Sequence, residues 1–223
     1  MKYDKEAFNP SYIGRRDDLL SLIPDNISKV LDVGCSIGAL GEQLKQRFGA
    51  EVAGIELNEQ MAKVANEKLD RVILGDLDKI NLADYLAPNY FDCIIFADVL
   101  EHLKNPWDVL KSATSFLSDE GVVIASIPNI RHYATIINLI FRGYWPYRER
   151  GIHDKTHLRF FTLKNIVELF QYANLKIIQL QRNYRIIERP HSYNRFSKYF
   201  RFPPFREFLV FQYLIVAKKV EKD

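Results

Sequence analysis

The sequence contains little cysteine and no apolar run long enough to cross a membrane. Only two of its 223 residues are cysteine, Cys35 and Cys93, and neither lies in a C-x-x-C pair. A disulfide framework and a zinc site are therefore poor explanations of the fold. The most apolar stretch, residues 208–217, is interrupted by Gln212 and is shorter than a transmembrane helix. The N-terminal residues MKYDKEAF lack the apolar segment of a signal peptide, which predicts a cytoplasmic protein.

A large excess of one charge is also missing. The formal net charge is only +3, which says little about binding partners. With 223 residues, of which 48% are hydrophobic, the chain can bury a full core as one unit. Neither internal repeats nor low-complexity segments divide it. We therefore predict a single domain over residues 1–223, in which residues 1–29 form an N-terminal cap.

The most informative stretch is residues 30–40, VLDVGCSIGAL. An apolar run ends in Asp32, and two glycines four apart, Gly34 and Gly38, then lead into a helix-forming segment. This order is typical of the strand, tight loop and helix start at which an α/β sheet receives a nucleotide-like ligand. Ser36 stands where the dinucleotide fingerprint has its second glycine, which disfavours a nicotinamide oxidoreductase. The loop also has no lysine for a phosphate cradle, and Asp32 suits an amine better than a phosphate.

Three further apolar stretches end in residues suited to the same ligand. Residues 51–58, EVAGIELN, end near Glu56, whose carboxylate can accept both hydroxyls of an adenosine ribose. Residues 71–78, RVILGDLD, offer Asp76 for an adenine amino group and Leu77 as an apolar wall. Residues 91–102, FDCIIFADVLEH, form a fourth strand whose tip opens onto the same crevice.

These four motifs, in this order, resemble the class I S-adenosylmethionine (SAM)-dependent methyltransferases over nearly the whole chain. The resemblance implies SAM as the cofactor. It also implies that Arg16, in the region that often closes over the methionine end of SAM, binds the carboxylate of SAM; the alternative is a solvated pair of Arg15 and Arg16. The other cofactor-binding residues implied are Asp32, Gly34, Cys35, Gly38, Glu56, Leu57, Asp76, Leu77 and Ala97.

Strands and helices alternate along the rest of the chain. Asn58, Asn105 and Thr162 are each placed to cap a helix start. Further strands are expected at residues 122–128, 175–180 and 208–218. The interleaving predicts an α/β fold with a Rossmann-like, doubly wound, seven-stranded and mostly parallel sheet. In the family the last strand inserts antiparallel between its neighbours, and we expect the same here.

Two stretches exceed what such a sheet needs. Residues 129–161 separate strand five from its helix by 33 residues, and we interpret them as an insertion on the acceptor side. Residues 182–206 are rich in Arg, Tyr and Phe. Such a segment can bind single-stranded nucleic acid, join two copies in a homodimer or pack as a flap. We favour the basic and aromatic flap.

Methyl transfer to a hydroxyl needs a base, and histidine suits that role at neutral pH. His102 follows the strand-four tip, and His157 lies in the insertion, so these two are the candidate catalytic residues. The stretch DVLEH, residues 98–102, resembles the E-x-x-E-H stretch of ubiquinone-biosynthesis O-methyltransferases, where such residues can hold magnesium. It is also typical of a helix start after a strand, and we assign no metal.

The segments SIPNIRHY and GIHDKTHLRFFT resemble a bacterial subgroup of methyltransferases linked with glycan assembly, although His153 replaces an expected aliphatic residue. The sequence thus predicts a SAM-dependent methyltransferase that acts on a hydroxyl of a small molecule or glycan. One alternative is a nucleic-acid methyltransferase or binder, which would show steeply salt-dependent oligonucleotide affinity. The other is a SAM-binding domain that does not turn over.

Overall fold

The computed structural model of the chain describes residues 16–187, 191–200, 202 and 205–220. The predicted N-terminal cap is described only from Arg16 onwards, and Arg15 lies outside the described residues. Parts of the predicted flap, such as residues 188–190, lie outside them as well. No helix within the described ranges is both long and apolar enough to span a membrane.

Seven strands form one sheet in the order β3-β2-β1-β4-β5-β7-β6. Neighbouring strands from β3 to β5 run parallel, whereas β7 is antiparallel to both β5 and β6. This confirms the predicted topology, including the insertion of the last strand between its neighbours. The strands are β1 Lys29–Val33, β2 Glu51–Glu56, β3 Arg71–Leu74, β4 Phe91–Ala97, β5 Leu117–Pro128, β6 Leu175–Tyr184 and β7 Val210–Lys219.

Three of the helices begin where capping side chains were expected. The Asn58 side chain accepts the amides of Gln60 and Met61, and Asn105 caps the helix that starts at Pro106. Thr162 and Asn165 form a reciprocal capping box. The helices are α1 Asp17–Leu20, α2 Ala39–Phe48, α3 Glu59–Asn66, α4 Pro106–Ala113, α5 Tyr133–Ile136 and α6 Leu163–Tyr172.

Both faces of the sheet are buried, as a doubly wound fold requires. Alternate residues of β4 contribute to different core clusters, because successive side chains on a strand point to opposite faces. Ile94 and Phe96 belong to one cluster, and Cys93 and Ile95 to the other. The carboxyl ends of β1 to β4 therefore meet at one edge of a sheet that is closed on both sides, and this edge is where α/β proteins bind ligands.

The long insertion has structure of its own. Helix α5 continues into a π-helical turn, Ile137–Phe141. The segment then returns to the sheet, where Asn129 and Phe161 form a parallel bridge. Phe161 is buried, but Phe160 is 45% exposed and packs on Trp145, so only Phe161 enters the core.

The insertion is also joined to the predicted flap. The His132 ring nitrogen Nε2 lies 2.8 Å from the carbonyl of Arg185, and the Tyr133 hydroxyl donates to the carbonyl of Ile186. These contacts join the insertion to the beginning of the second long segment. The interpretation of that segment as a flap stays a prediction.

Candidate active site

The loop after β1 is held in a conformation that few side chains tolerate. Gly34 and Gly38 both have φ of +73°, and Ser36 between them has φ of 52°. The amides of Gly34 and Cys35 donate to the Ile55 carbonyl at 2.8 and 3.0 Å, which ties the loop to β2. The loop is therefore a fixed backbone cradle beside the ends of β1 and β2.

The two glycines serve protein packing as well as the cradle. A Cβ on Gly34 would lie 2.5 Å from a methyl group of Val99, and one on Gly38 would lie 3.2 Å from atoms of Ala65 and Leu69 in and after α3. A side chain at either position would therefore meet neighbouring protein.

Cys35 contributes backbone rather than thiol to this loop. Its sulfur lies 2.5 Å from where a Cβ on Gly54 would stand, and the side chain belongs to a core cluster. Burial raises the pKa of the Cys35 thiol, with the nearby charges of Asp32 and Glu56 adding to the effect. A neutral, core-packed thiol leaves only the main chain of Cys35 available to a cofactor.

Glu56, at the end of β2, links the first two strand tips. Its carboxylate accepts the amides of Ser36 and Asn58, each at 2.8 Å. The side chain is only 8% exposed. Since a carboxylate has about four acceptor positions, two remain for a diol. The next residue, Leu57, is 67% exposed and stands where an apolar ring could lie against it.

Asp32 is the most unusual group at this edge. It is 1% exposed, and among the described residues its Oδ2 atom has no hydrogen-bond partner. Burial, and then the charge of Glu56, raise the pKa of Asp32 to about 7, although Arg16 opposes the shift. An unsatisfied buried carboxylate oxygen is costly, and a cationic amine would satisfy it. The cradle and this oxygen together fit the amino-acid end of SAM.

The tips of β3 and β4 complete the edge. Asp76 is partly exposed, and a hydrogen bond from Lys79 lowers its pKa, so it is ionised at neutral pH. Leu77 packs against the core, and Ala97 is partly buried at the end of β4. Asp78, which the sequence did not single out, accepts the amides of Lys104 and Asn105 and ties the two tips together.

Arg16 reaches the same edge but is occupied by protein groups. Its Nη1 atom lies 2.6 Å from Asp98 Oδ2, its Nε atom lies 3.0 Å from Asp18, and it donates to the Ser126 hydroxyl. Asp98 itself has a positive φ of 56° and also accepts from Gln212 on β7. The role of Arg16 as a ligand of the SAM carboxylate stays a prediction.

Residues 6–180 match the protein family described as "Methyltransferase domain". This chain belongs to that family. Membership of this family and the SAM-dependent methyltransferase fold imply SAM as the cofactor. The expected family and cofactor are thus confirmed. The assignment of the loop after β1 and of Glu56 to SAM binding stays a prediction.

Relatives of the methyltransferase carry more specific names. A ubiquinone biosynthesis O-methyltransferase from Chromobacterium violaceum is 29% identical over 171 residues, which cover 74% of this chain and 72% of the relative. One from Dechloromonas aromatica is 31% identical over 174 residues, covering 75% and 72%. A crystal structure described as a SAM-dependent methyltransferase from Archaeoglobus fulgidus matches with a TM-score of 0.68 at 20% identity, covering 97% of this chain and all of that chain.

The two candidate catalytic histidines lie together beyond the end of β4. The ring centroids of His102 and His157 are 4.7 Å apart in an edge-on arrangement. His157 Nε2 lies 4.0 Å from Oε1 of Glu101, which is buried and whose Oε2 atom has no hydrogen-bond partner among the described residues. Burial, and then the charge of Asp98, raise the pKa of Glu101 well above its ordinary value.

Glu101, His102 and His157 each offer a ligand atom within 4.8 Å of the others. The sequence had drawn attention to Asp98, Glu101 and His102, but the carboxylate of Asp98 is engaged with Arg16. One carboxylate and two imidazoles form a set unlike the oxygen ligands that magnesium prefers. This donor set does not fit a magnesium site.

The unexpected His153 is a buried structural residue. Its Nε2 atom lies 3.0 Å from the hydroxyl of Thr135, and its ring packs edge-on against Trp145 at 5.1 Å. The departure from the expected aliphatic residue is therefore accommodated inside the insertion. Sequence reasoning also passed over Thr156, whose hydroxyl contacts His102, and Asp154, which accepts a hydrogen bond from that hydroxyl. Their acid-x-hydroxyl spacing, typical of a side-chain turn, is the signal that could have found them.

Proposed function

We propose that this methyltransferase transfers the methyl group of SAM to a hydroxyl of a small molecule, either a free metabolite or a glycan unit, and that His102 is the general base. The observation that supports this most is the pair of contacting imidazoles, His102 and His157, directly after the β4 tip. A hydroxyl acceptor must lose its proton as it is methylated, and a neutral imidazole can take it.

Both imidazoles are neutral at physiological pH. Burial lowers the pKa of His102 below its ordinary value, although the charge of Asp154 opposes the shift. Burial, and then the neighbouring His102, lower the pKa of His157 to about 4. A histidine base with its ordinary pKa would make the rate rise through about pH 6.5. Because burial lowers the pKa of His102, we expect the rise at lower pH.

His102 is the better placed base of the two. The His157 side chain is only 6% exposed, its Nδ1 lies 3.2 Å from the Ile152 carbonyl, and its Nε2 faces Glu101. For His102, by contrast, the structure shows hydrogen-bond partners within the described ranges only at Nδ1, both supplied by Thr156. We therefore assign proton transfer to His102 Nε2 and a supporting role to His157.

SAM supplies an activated methyl group on a sulfonium, so the chain itself has to orient the acceptor and remove its proton. In the proposed step the acceptor oxygen forms a bond to the methyl carbon as the carbon–sulfur bond breaks. The hydroxyl proton passes to His102 Nε2, and the nearby charges of Asp154 and Asp98 stabilise the imidazolium. The names of the relatives, O-methyltransferases of ubiquinone biosynthesis, support oxygen as the methylated atom and a small acceptor.

The test combines an acceptor screen with one variant and its control. A panel of phenols, catechols and sugars is incubated with enzyme and SAM, and products heavier by one CH2 group are sought by mass spectrometry. With the acceptor found, His102→Ala should lower turnover by roughly 10²–10⁴-fold while SAM affinity is kept. His191→Ala, in the flap, is the matched control and should remain active. Methylation of amines or oligonucleotides alone, or full activity of His102→Ala, would refute the proposal.

A further inference from the structure

We infer that Thr156 and Asp154 are positioning residues that hold neutral His102 in the tautomer with its hydrogen on Nδ1, so that Nε2 carries the free electron pair. The inference rests on the proposed function, because it explains how His102 is prepared to act as a base. Neither residue needs to contact the acceptor or SAM.

The hydrogen bonds of the Thr156 hydroxyl determine which group donates and which accepts between His102, Thr156 and Asp154. The Thr156 hydroxyl lies 3.0 Å from His102 Nδ1 and donates to Asp154 Oδ1 at 2.7 Å. A hydroxyl has one hydrogen, so one that donates to the carboxylate can only accept from the imidazole. The hydrogen between Thr156 and His102 therefore belongs to Nδ1.

A second contact requires the same tautomer. His102 Nδ1 also lies 3.3 Å from the backbone carbonyl oxygen of Thr156. A carbonyl oxygen accepts hydrogen bonds and never donates them. Both neighbours of Nδ1 thus act as acceptors, and the opposite tautomer would leave two oxygen lone pairs facing a nitrogen lone pair.

The hydrogen bond from the Thr156 hydroxyl requires an ionised Asp154, and the surroundings of Asp154 favour that state. Burial raises the pKa of Asp154, but hydrogen bonds from the hydroxyl and the amide of Thr156 outweigh that effect, so the net shift is downward. The amide bond is 2.9 Å long and ends on the same oxygen, Oδ1. An ionised carboxylate only accepts hydrogen bonds, so the Thr156 hydroxyl donates its hydrogen to Asp154 and has none left to donate to His102.

The backbone around Thr156 is fixed independently of its side chain. The amides of Leu158 and Arg159 donate to the Glu101 carbonyl at 2.8 and 2.9 Å, which joins the insertion to the turn that carries His102. Arg148 and Asp154 form a bridge within the insertion. A change confined to the Thr156 hydroxyl should therefore leave the fold intact.

The experiment compares two substitutions with one control. Thr156→Val keeps the shape of the side chain and removes the hydroxyl, whereas Thr156→Ser restores the hydroxyl. Since one hydrogen bond is lost, Thr156→Val should lower kcat about tenfold with SAM affinity unchanged, and Thr156→Ser should recover most of it. Thr114→Val is the control, because within the described part of the chain the Thr114 hydroxyl bonds the Lys111 carbonyl at the end of α4 and no other group.

A spectroscopic measurement reads the tautomer without turnover. Protein with 15N-labelled histidine is studied by two-bond 1H–15N correlation at neutral pH or above, and the His102 signals are assigned by their loss in His102→Gln. The wild type should show the proton on Nδ1, and Thr156→Val should show a larger share on Nε2. A wild-type proton on Nε2, or a Thr156→Val enzyme as active as the wild type, would overturn the inference.

The assignment of His102 as the base and the positioning role of Thr156 can be refuted separately. If His102→Ala keeps its activity while the wild type shows the Nδ1 proton, the proposed base is wrong and the tautomer assignment stands. If His102→Ala is inactive but Thr156→Ser is as slow as Thr156→Val, His102 remains the base. In that case the positioning role of the Thr156 hydroxyl is refuted.

Discussion

Replacing Asp32 with asparagine should remove a pH-dependent loss of stability from the cofactor-free protein and weaken its binding of SAM. Burial and the Glu56 charge raise the pKa of the Asp32 carboxyl from 3.8 to about 7. In the unfolded chain the same carboxyl titrates at its ordinary value. Between these two pKa values the folded protein holds a proton that the unfolded chain has lost, so the stability of the wild type falls as pH rises.

The size of the effect follows from the two pKa values. A difference of about three units corresponds to about 4 kcal/mol once the pH exceeds the folded-state value. About 1.7 kcal/mol of this is already lost at about pH 5, so about 2.5 kcal/mol remains to be lost between about pH 5 and about pH 8. Asparagine carries no charge, so its variant should not show this loss.

The assay is urea unfolding of wild type and Asp32→Asn at a series of pH values without SAM. The buried amide adds its own penalty, so the test is the pH dependence of the difference in unfolding free energy and not its absolute size. Asp92→Asn is the control on the same sheet. Burial raises the pKa of Asp92, but hydrogen bonds from Ser28 and Lys29 lower it by more, so the net shift is downward. The difference in unfolding free energy between Asp92→Asn and the wild type should therefore not change with pH above about pH 5.

A flat difference for Asp32→Asn over this range would refute the reasoning, because it would mean that Asp32 does not titrate there. Calorimetry then compares the SAM affinities of wild type and Asp32→Asn. Asp32 is predicted to meet the amine of SAM, so the loss of its charge should weaken binding by about 1.5–3 kcal/mol. Asp32 would then lower the stability of the cofactor-free protein and strengthen its binding of SAM, a trade-off common at binding sites.

Other consequences can be checked with single variants. Glu56→Ala should lose roughly 2–3 kcal/mol of SAM binding by calorimetry, whereas the exposed Glu59→Ala should lose none; equal affinities would remove Glu56 from the ribose site. Gly34→Ala should destabilise the protein by more than Gly143→Ala in thermal unfolding, since both have positive φ but only Gly34 faces an atom 2.5 Å from the new Cβ. The pH profile of kcat should rise at a pH below about 6.5, since burial lowers the pKa of His102; a midpoint above that value would contradict a buried neutral base.

Local signals predicted most of the fold. Asn58 and Thr162 cap helices because their side chains meet amides two or three residues away, and such contacts can be read from spacing alone. The same holds for Gly34 and Gly38, whose positive φ follows from a tight turn. The insertion of β7 came from the family resemblance, since no local pattern states which strand lies beside which.

The candidate site depended on contacts that spacing does not encode. Arg16 meets Asp98 across 82 positions of the chain, and His102 meets Thr156 across 54. Cys35 lies in the ligand loop by sequence, yet its side chain packs beside Gly54 in a core cluster. Such pairings are set by how the strand tips converge, which only the assembled sheet determines.

The position of β7 has a consequence for the order of folding. This strand pairs with β5 on one side and β6 on the other, and its Gln212 reaches Asp98 at the tip of β4. During synthesis β6 leaves the ribosome before β7, and until then it has no partner in the native sheet, while β5 ends in an open edge. The nascent chain can therefore complete its sheet and the Asp98 network only after β7 has been synthesised.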